Sequence, residues 1–138
     1  MGDVADEERL YRRVQYDLCT VVAERPNLSS TAFNCRQKKP SVNRASIFGA
    51  PAREYPGDGI ALLITGEVKA IELPNVDKKG NAVGQYDVDV WSRPEPANLS
   101  HAQIETAPEP TTSRFEKLKE SLAILAGKYP WLIAPERP

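Results

Sequence analysis

The strongest hydrophobic signal in the chain is Ile60-Ala61-Leu62-Leu63-Ile64, an unbroken apolar run. A short run of this kind predicts a strand buried on both faces. Thr65-Gly66-Glu67 then bends the chain, and Val68, Ala70 or Ile71, and Leu73 continue it in extended form. Asp77-Lys78-Lys79-Gly80-Asn81 has turn chemistry and predicts a loop tip. Beyond it, Tyr86, Val88 and Val90 alternate with Asp87, Asp89 and Trp91, the pattern of a half-buried strand. His101-Ala102-Gln103-Ile104 predicts the last strand. The end of the chain switches period: Phe115, Leu118, Leu122 and Leu125 form a narrow helical seam over 113–126 that would dock on the sheet. Ser113 and Glu116 match a capping box, and Gly127 closes the helix.

The first third of the chain is less decided. Leu10, Tyr11, Val14, Leu18, Val21 and Val22 fall within about 120° of helical arc, a clean amphipathic stripe stopped by Pro26. Val14, Tyr16, Leu18 and Val22 also fit a period of two, in strand-forming residue types. Residues 10–22 therefore read as helix or strand. Leu28 to Phe33 and Ser41 to Phe48 read as short strands, 34–40 as a loop, and 49–59 as irregular or one helical turn. The expected fold class is α+β: a small mixed or antiparallel sheet packed by a C-terminal amphipathic helix. One domain over 1–138 is expected, with 1–8 and 134–138 loose.

Composition narrows the setting. Of 138 residues, 41% are apolar and 27% charged, as in ordinary globular domains, and the 12 prolines predict irregular connections. No apolar run approaches the ~20 residues of a membrane span. The opening MGDVADEERL has neither the basic nor the apolar part of a signal peptide, and Asp6 stands where a myristoylation motif needs Ser or Thr. Cys19 and Cys35 supply neither a disulfide framework nor a zinc site. A cytoplasmic protein with reduced thiols is expected, without membrane contact, metal or cofactor. The net charge of −1 hides an asymmetry: residues 25–53 carry six bases and no acid, whereas 54–110 carry ten acids and four bases. A positive and a negative face follow from that split.

Candidate chemistry is sparse. His101 is the single histidine, which excludes two-histidine metal sites and acid–base pairs. A Ser–His or Cys–His nucleophile needs Ser29, Ser30, Ser41, Cys19 or Cys35 beside it; the plainer alternative is a histidine that hydrogen-bonds a loop. Asp87 and Asp89 share one strand face and would either hold Mg²⁺ or face solvent. Arg36, Lys38, Lys39, Asn43 and Arg44, among serine and asparagine donors, form a candidate anion-binding tract, with Phe33 or Phe48 as a stacking surface. Gly57-Asp58-Gly59 lacks the lysine of a phosphate loop. Arg12 or Arg13, Ser30 and Glu105 resemble the Arg–Ser–Glu arrangement of ADP-ribosyltransferase-like folds, but the Ser-Thr-Ser form and a Glu-x-Glu pair are both missing.

Taken together, Leu10-Tyr11-Arg12, Ser30-Thr31-Ala32-Phe33, Ser41-Val42, Gly59-Ile60, the 96–104 stretch with His101-Ala102-Gln103-Ile104, and Ser113 through Trp131 resemble a group of short bacterial proteins without an established activity. The resemblance implies a strand beginning at Leu10 and an accessory role beside partners in mobile or defence-type gene clusters. After Arg13 the group tends to show His-Pro, where this chain has Gln15-Tyr16.

Three functions follow as expectations. The first is an accessory module that meets a protein partner and carries a basic anion-binding surface. The second is a nucleotide-handling enzyme, ADP-ribosyltransferase-like or phosphodiesterase-like, with Arg12 or Arg13, Ser30 and His101 as catalytic residues. The third is a weak nucleic-acid binder through 36–53, against which the pI of about 5.9 counts.

Overall fold

Leu10 and Val14 are fully buried on one face of a strand, β1 (Arg9–Val14), while Tyr11 and Arg13 occupy the other. The computed structural model describes residues 2–22 and 25–137. In it β1 leads through a 3-10 turn at 16–18 into the hairpin of β2 (Thr20–Val22) and β3 (Arg25–Asn27). A 3-10 turn (Ser30–Phe33), β4 (Ser41–Arg44) and the single helical turn α1 (Ala45–Phe48) follow. The chain continues as β5 (Gly59–Ile64), α2 (Thr65–Lys69), β6 (Leu73–Val76), β7 (Ala82–Ser92), β8 (His101–Ala107) and α3 (Thr112–Gly127).

Six strands form one curled sheet in the order β5-β1-β4-β8-β7-β6, antiparallel at every neighbour. The fold is α+β, and the choice between mixed and antiparallel resolves to antiparallel. Phe115, Leu118, Leu122 and Ala126 of α3 close over Leu10, Ala61, Leu63, Ala102 and Ile104 to make the core. No described helix is long and apolar enough to cross a membrane.

Within residues 10–22, β1 and β2 take the period-two reading, whereas Tyr16–Leu18 between them form a 3-10 turn. β1 lies between β4 and β5, so both edges of its backbone find ladder partners, which an isolated amphipathic helix would forgo. Ala23 and Glu24 lie outside the described residues. The Leu28–Phe33 strand is replaced by a 3-10 turn whose Ala32 and Phe33 are buried, and Ser41–Phe48 stays extended only to Arg44. Extended chain was also expected through Val68–Ile71; Thr65–Lys69 is instead a short helix that buries Thr65 and Val68. At α3 the cap is Thr111, whose hydroxyl accepts from the Arg114 amide at 3.3 Å, so Ser113 lies inside the helix and no capping box forms.

β5 is buried on both faces, as its apolar run predicts, although it is the sheet's edge. Its free edge is covered by the C-terminal tail: Ile60 N donates to Ile133 O at 2.8 Å and Leu132 N to Ile60 O at 3.0 Å. The opening residues, expected to be loose, lie against the sheet: Val4 is 1% exposed, and the Asp3 carboxylate takes the amide and hydroxyl of Ser92.

Candidate functional site

The sheet splits at one place. β1 pairs with β4 only through Leu10↔Arg44 and Tyr11↔Asn43, while β1 continues along β5 to Val14↔Gly59 and β4 continues along β8 to Ser41↔Gln103. Past Tyr11 and Asn43 the two halves separate, and the opening is a cleft of about 420 Å³. Arg12, Arg13, Ser41, Asn43, Asn98 and His101 are among its lining residues. That volume lies within the range of small-molecule sites.

Arg12 stands where the β1–β4 ladder stops and replaces it with side-chain hydrogen bonds. Its Nε donates to Ala32 O at 3.0 Å, Nη1 to Ser41 O at 2.8 Å and Nη2 to Asn34 O at 3.3 Å, with the guanidinium over the Phe33 ring. Burial lowers its pKa to about 10, so it remains a cation at neutral pH. Three of its five N–H donors are used on carbonyls, and no carboxylate pairs with it among the described residues. Arg13 differs: it is held 3.4 Å from Glu54 and 3.3 Å from Asp58, and lies over the Tyr55 ring.

Across the split, alternation along β8 buries Ala102 and Ile104 and turns His101 to the opposite face. Its Nδ1 lies 2.8 Å from Arg93 O and 3.3 Å from a Glu95 carboxylate oxygen; its Nε2 lies 3.1 Å from Ser41 Oγ. A carbonyl only accepts, so in the neutral ring Nδ1 carries the proton and Nε2 presents its lone pair to Ser41. Beside this pair, the Asn43 amide donates to Glu54 at 3.2 Å and accepts from Asn98 at 2.7 Å. The Ser100 hydroxyl, 3.1 Å from Asn43 Oδ1, completes a polar cluster that holds the loop 93–100 in place.

The cleft thus unites Arg12, Arg13, Ser41, Asn43 and His101 but not the other sequence candidates. Ser30 opens the 3-10 turn and is not part of the cleft lining. Glu105 binds Arg93 through both carboxylate oxygens, at 2.9 and 3.1 Å, and borders a different depression with Asp87 and Asp89. The Arg–Ser–Glu arrangement therefore does not assemble. The basic tract disperses as well: Lys38 donates to Pro110 O at 3.0 Å and Arg44 pairs with Glu8 at 3.1 Å, while Arg36 and Lys39 extend into solvent. Asp89 accepts from the Gly2 amide at 2.5 Å, and no cluster of three or more metal-binding side chains occurs among the described residues. Cys19 and Cys35 are free thiols; burial, then Asp17, raises the Cys19 pKa.

Glu95, Asn98 and Glu54 were not anticipated as site residues. The spacing of Ser41 and Asn43 against buried Val42 marks one strand face, and the His-Ala-x-Ile pattern marks another. Only the unreadable β4–β8 pairing makes them the same face.

Fold and site together define a curled antiparallel α+β domain with a polar cleft at a break in its sheet. No protein-family model, curated protein or solved structure matches the chain.

Proposed function

We propose that this protein is a small accessory binding domain that holds an anion-bearing ligand of metabolite size in the β1–β4 cleft. The observation that carries this reading is the charge of Arg12: fixed by three carbonyls, it has two further N–H donors and, among the described residues, no acid to neutralise it. A partly desolvated, preorganised guanidinium at a cleft favours a carboxylate or phosphate. This reading puts the anion at the break in the sheet rather than on the 36–44 loop. It also favours small ligands over nucleic acid, because Lys38, Arg44 and Arg53 of the basic segment are already engaged within the fold.

A thermal-stability titration of the full chain with citrate, inorganic phosphate and a nucleoside monophosphate tests this. A ligand that binds only the folded state at a hundredfold excess over Kd adds about 2.7 kcal/mol. At least one anion should raise the melting temperature, with the response reduced in Arg12→Gln and in the less disruptive Arg13→Gln, and retained in Lys39→Ala. No response to any of the three, or a response lost in Lys39→Ala alone, contradicts the reading.

A further inference from the structure

We propose that Ser41 is a nucleophile activated by His101, and that the cleft hydrolyses small esters whose acyl portion carries a negative charge. The proposal rests on the β1–β4 cleft being the ligand site. Three features of the cleft combine. Ser41 is exposed on β4, whereas the His101 side chain is only 14% exposed and aims Nε2 at the hydroxyl from 3.1 Å. The opposite nitrogen is fixed by the Arg93 carbonyl at 2.8 Å, which sets the tautomer that a base requires. Glu95, 3.3 Å from the same nitrogen, would stabilise the imidazolium that forms when the serine proton is taken. A serine that merely decorated the surface would not need an oriented imidazole with a carboxylate behind it.

The reaction balances on these groups. Ser41 Oγ bonds to the ester carbonyl carbon as its proton passes to His101 Nε2 and the carbonyl electron pair moves to oxygen. Collapse breaks the bond to the alkoxy oxygen, which takes the proton from Nε2 and leaves as the alcohol. Water then attacks the acyl-serine, gives one proton to Nε2, and collapse returns that proton to Ser41 and releases the carboxylic acid. The sum is ester plus water giving acid plus alcohol, with no other reactant. Arg12, whose Nη1 lies 2.8 Å from the carbonyl of Ser41 itself, places a cation beside the reacting residue and selects the charged acyl group.

The test uses p-nitrophenyl hemisuccinate, an activated ester with a free carboxylate, together with a fluorophosphonate and peptide mapping by mass spectrometry. The expected result is a burst of p-nitrophenolate and one adduct on the Ser41 peptide. Both should fall at least about tenfold in His101→Gln and vanish from that peptide in Ser41→Ala. Hydrolysis of the hemisuccinate should exceed that of neutral p-nitrophenyl acetate by about tenfold, a preference lost in Arg12→Gln. Ser41→Cys, which keeps a nucleophile in place, should still be acylated. Adducts elsewhere, or labelling indifferent to His101→Gln, overturn the proposal. If Ser41 stays unmodified while citrate still raises the melting temperature, the nucleophile fails and the binding reading survives. If neither occurs, both fail.

Discussion

Glu8 shows how single charges are disposed in this fold. Burial opposes ionisation of its carboxyl, but the hydroxyl and amide of Ser46 and the Arg44 guanidinium outweigh that and hold the pKa below its ordinary value of 4.5. The unfolded chain therefore binds this proton more readily than the folded one. The pair contributes stability above the unfolded pKa and loses it as pH falls through the lower folded value. Glu8→Gln should cost about 2 kcal/mol at neutral pH, the range of a charge-assisted hydrogen bond. Urea unfolding at several pH values checks the sign: the gap between variant and parent should narrow below about pH 4. A gap of constant size would show that the loss is packing rather than charge. Arg12 is the contrasting case, since carbonyls supply geometry but no negative charge. The sequence marks Arg12 or Arg13 as a candidate catalytic residue, but this anchoring was not legible there, because its partners come from residues 32, 34 and 41.

Among the elements, strong local patterns survived and weak ones yielded to pairing. β5, β7 and β8 carry unbroken or alternating apolar residues, and α3 a helical seam, so their sequences and structure agree. Residues 10–22 satisfy two periods at once, and only neighbours on both sides of β1 decide between them. Thr65–Lys69 turns helical with no periodic signal long enough to announce it. Two predictions belong here. Leu118, fully buried on α3, should cost about 3 kcal/mol on change to alanine, read from the shift of the urea midpoint at constant m-value. A midpoint change under a third of that would mean that α3 is not the roof of the core. Gly59 has a different duty: a Cβ there would lie 2.5 Å from Pro135 and 2.9 Å from Ile133 O. Gly59→Ala should detach the tail from the edge of β5. Amide exchange at Ile60 and Leu132 should then quicken while the α3 amides stay protected. Unchanged exchange at Ile60 would show that the tail gives way without losing its hydrogen bonds.

At the scale of the whole molecule, the fold class was legible because it depends on how many elements each period predicts. The site was legible only as a set of residue types. His101, Arg12 and Ser41 were each visible, but their convergence depends on a strand order that places β4 between β1 and β8 and on a ladder that breaks after two residue pairs. The charge asymmetry of the chain does not survive as one basic patch, for a related reason. Bases close together in sequence were separated by the fold and drawn into bonds with Glu8, Pro110 and Glu136. The central claim is that the break in the sheet is where an anion binds. The most direct measurement is a titration of the isotopically labelled protein with citrate, followed by NMR. The account predicts saturable shifts at the Arg12 Nε–H, the Ser41 amide and the His101 ring, with little change at Arg36 and Lys39. Shifts centred on Arg36 and Lys39, or none at Arg12 under saturating citrate, would contradict it.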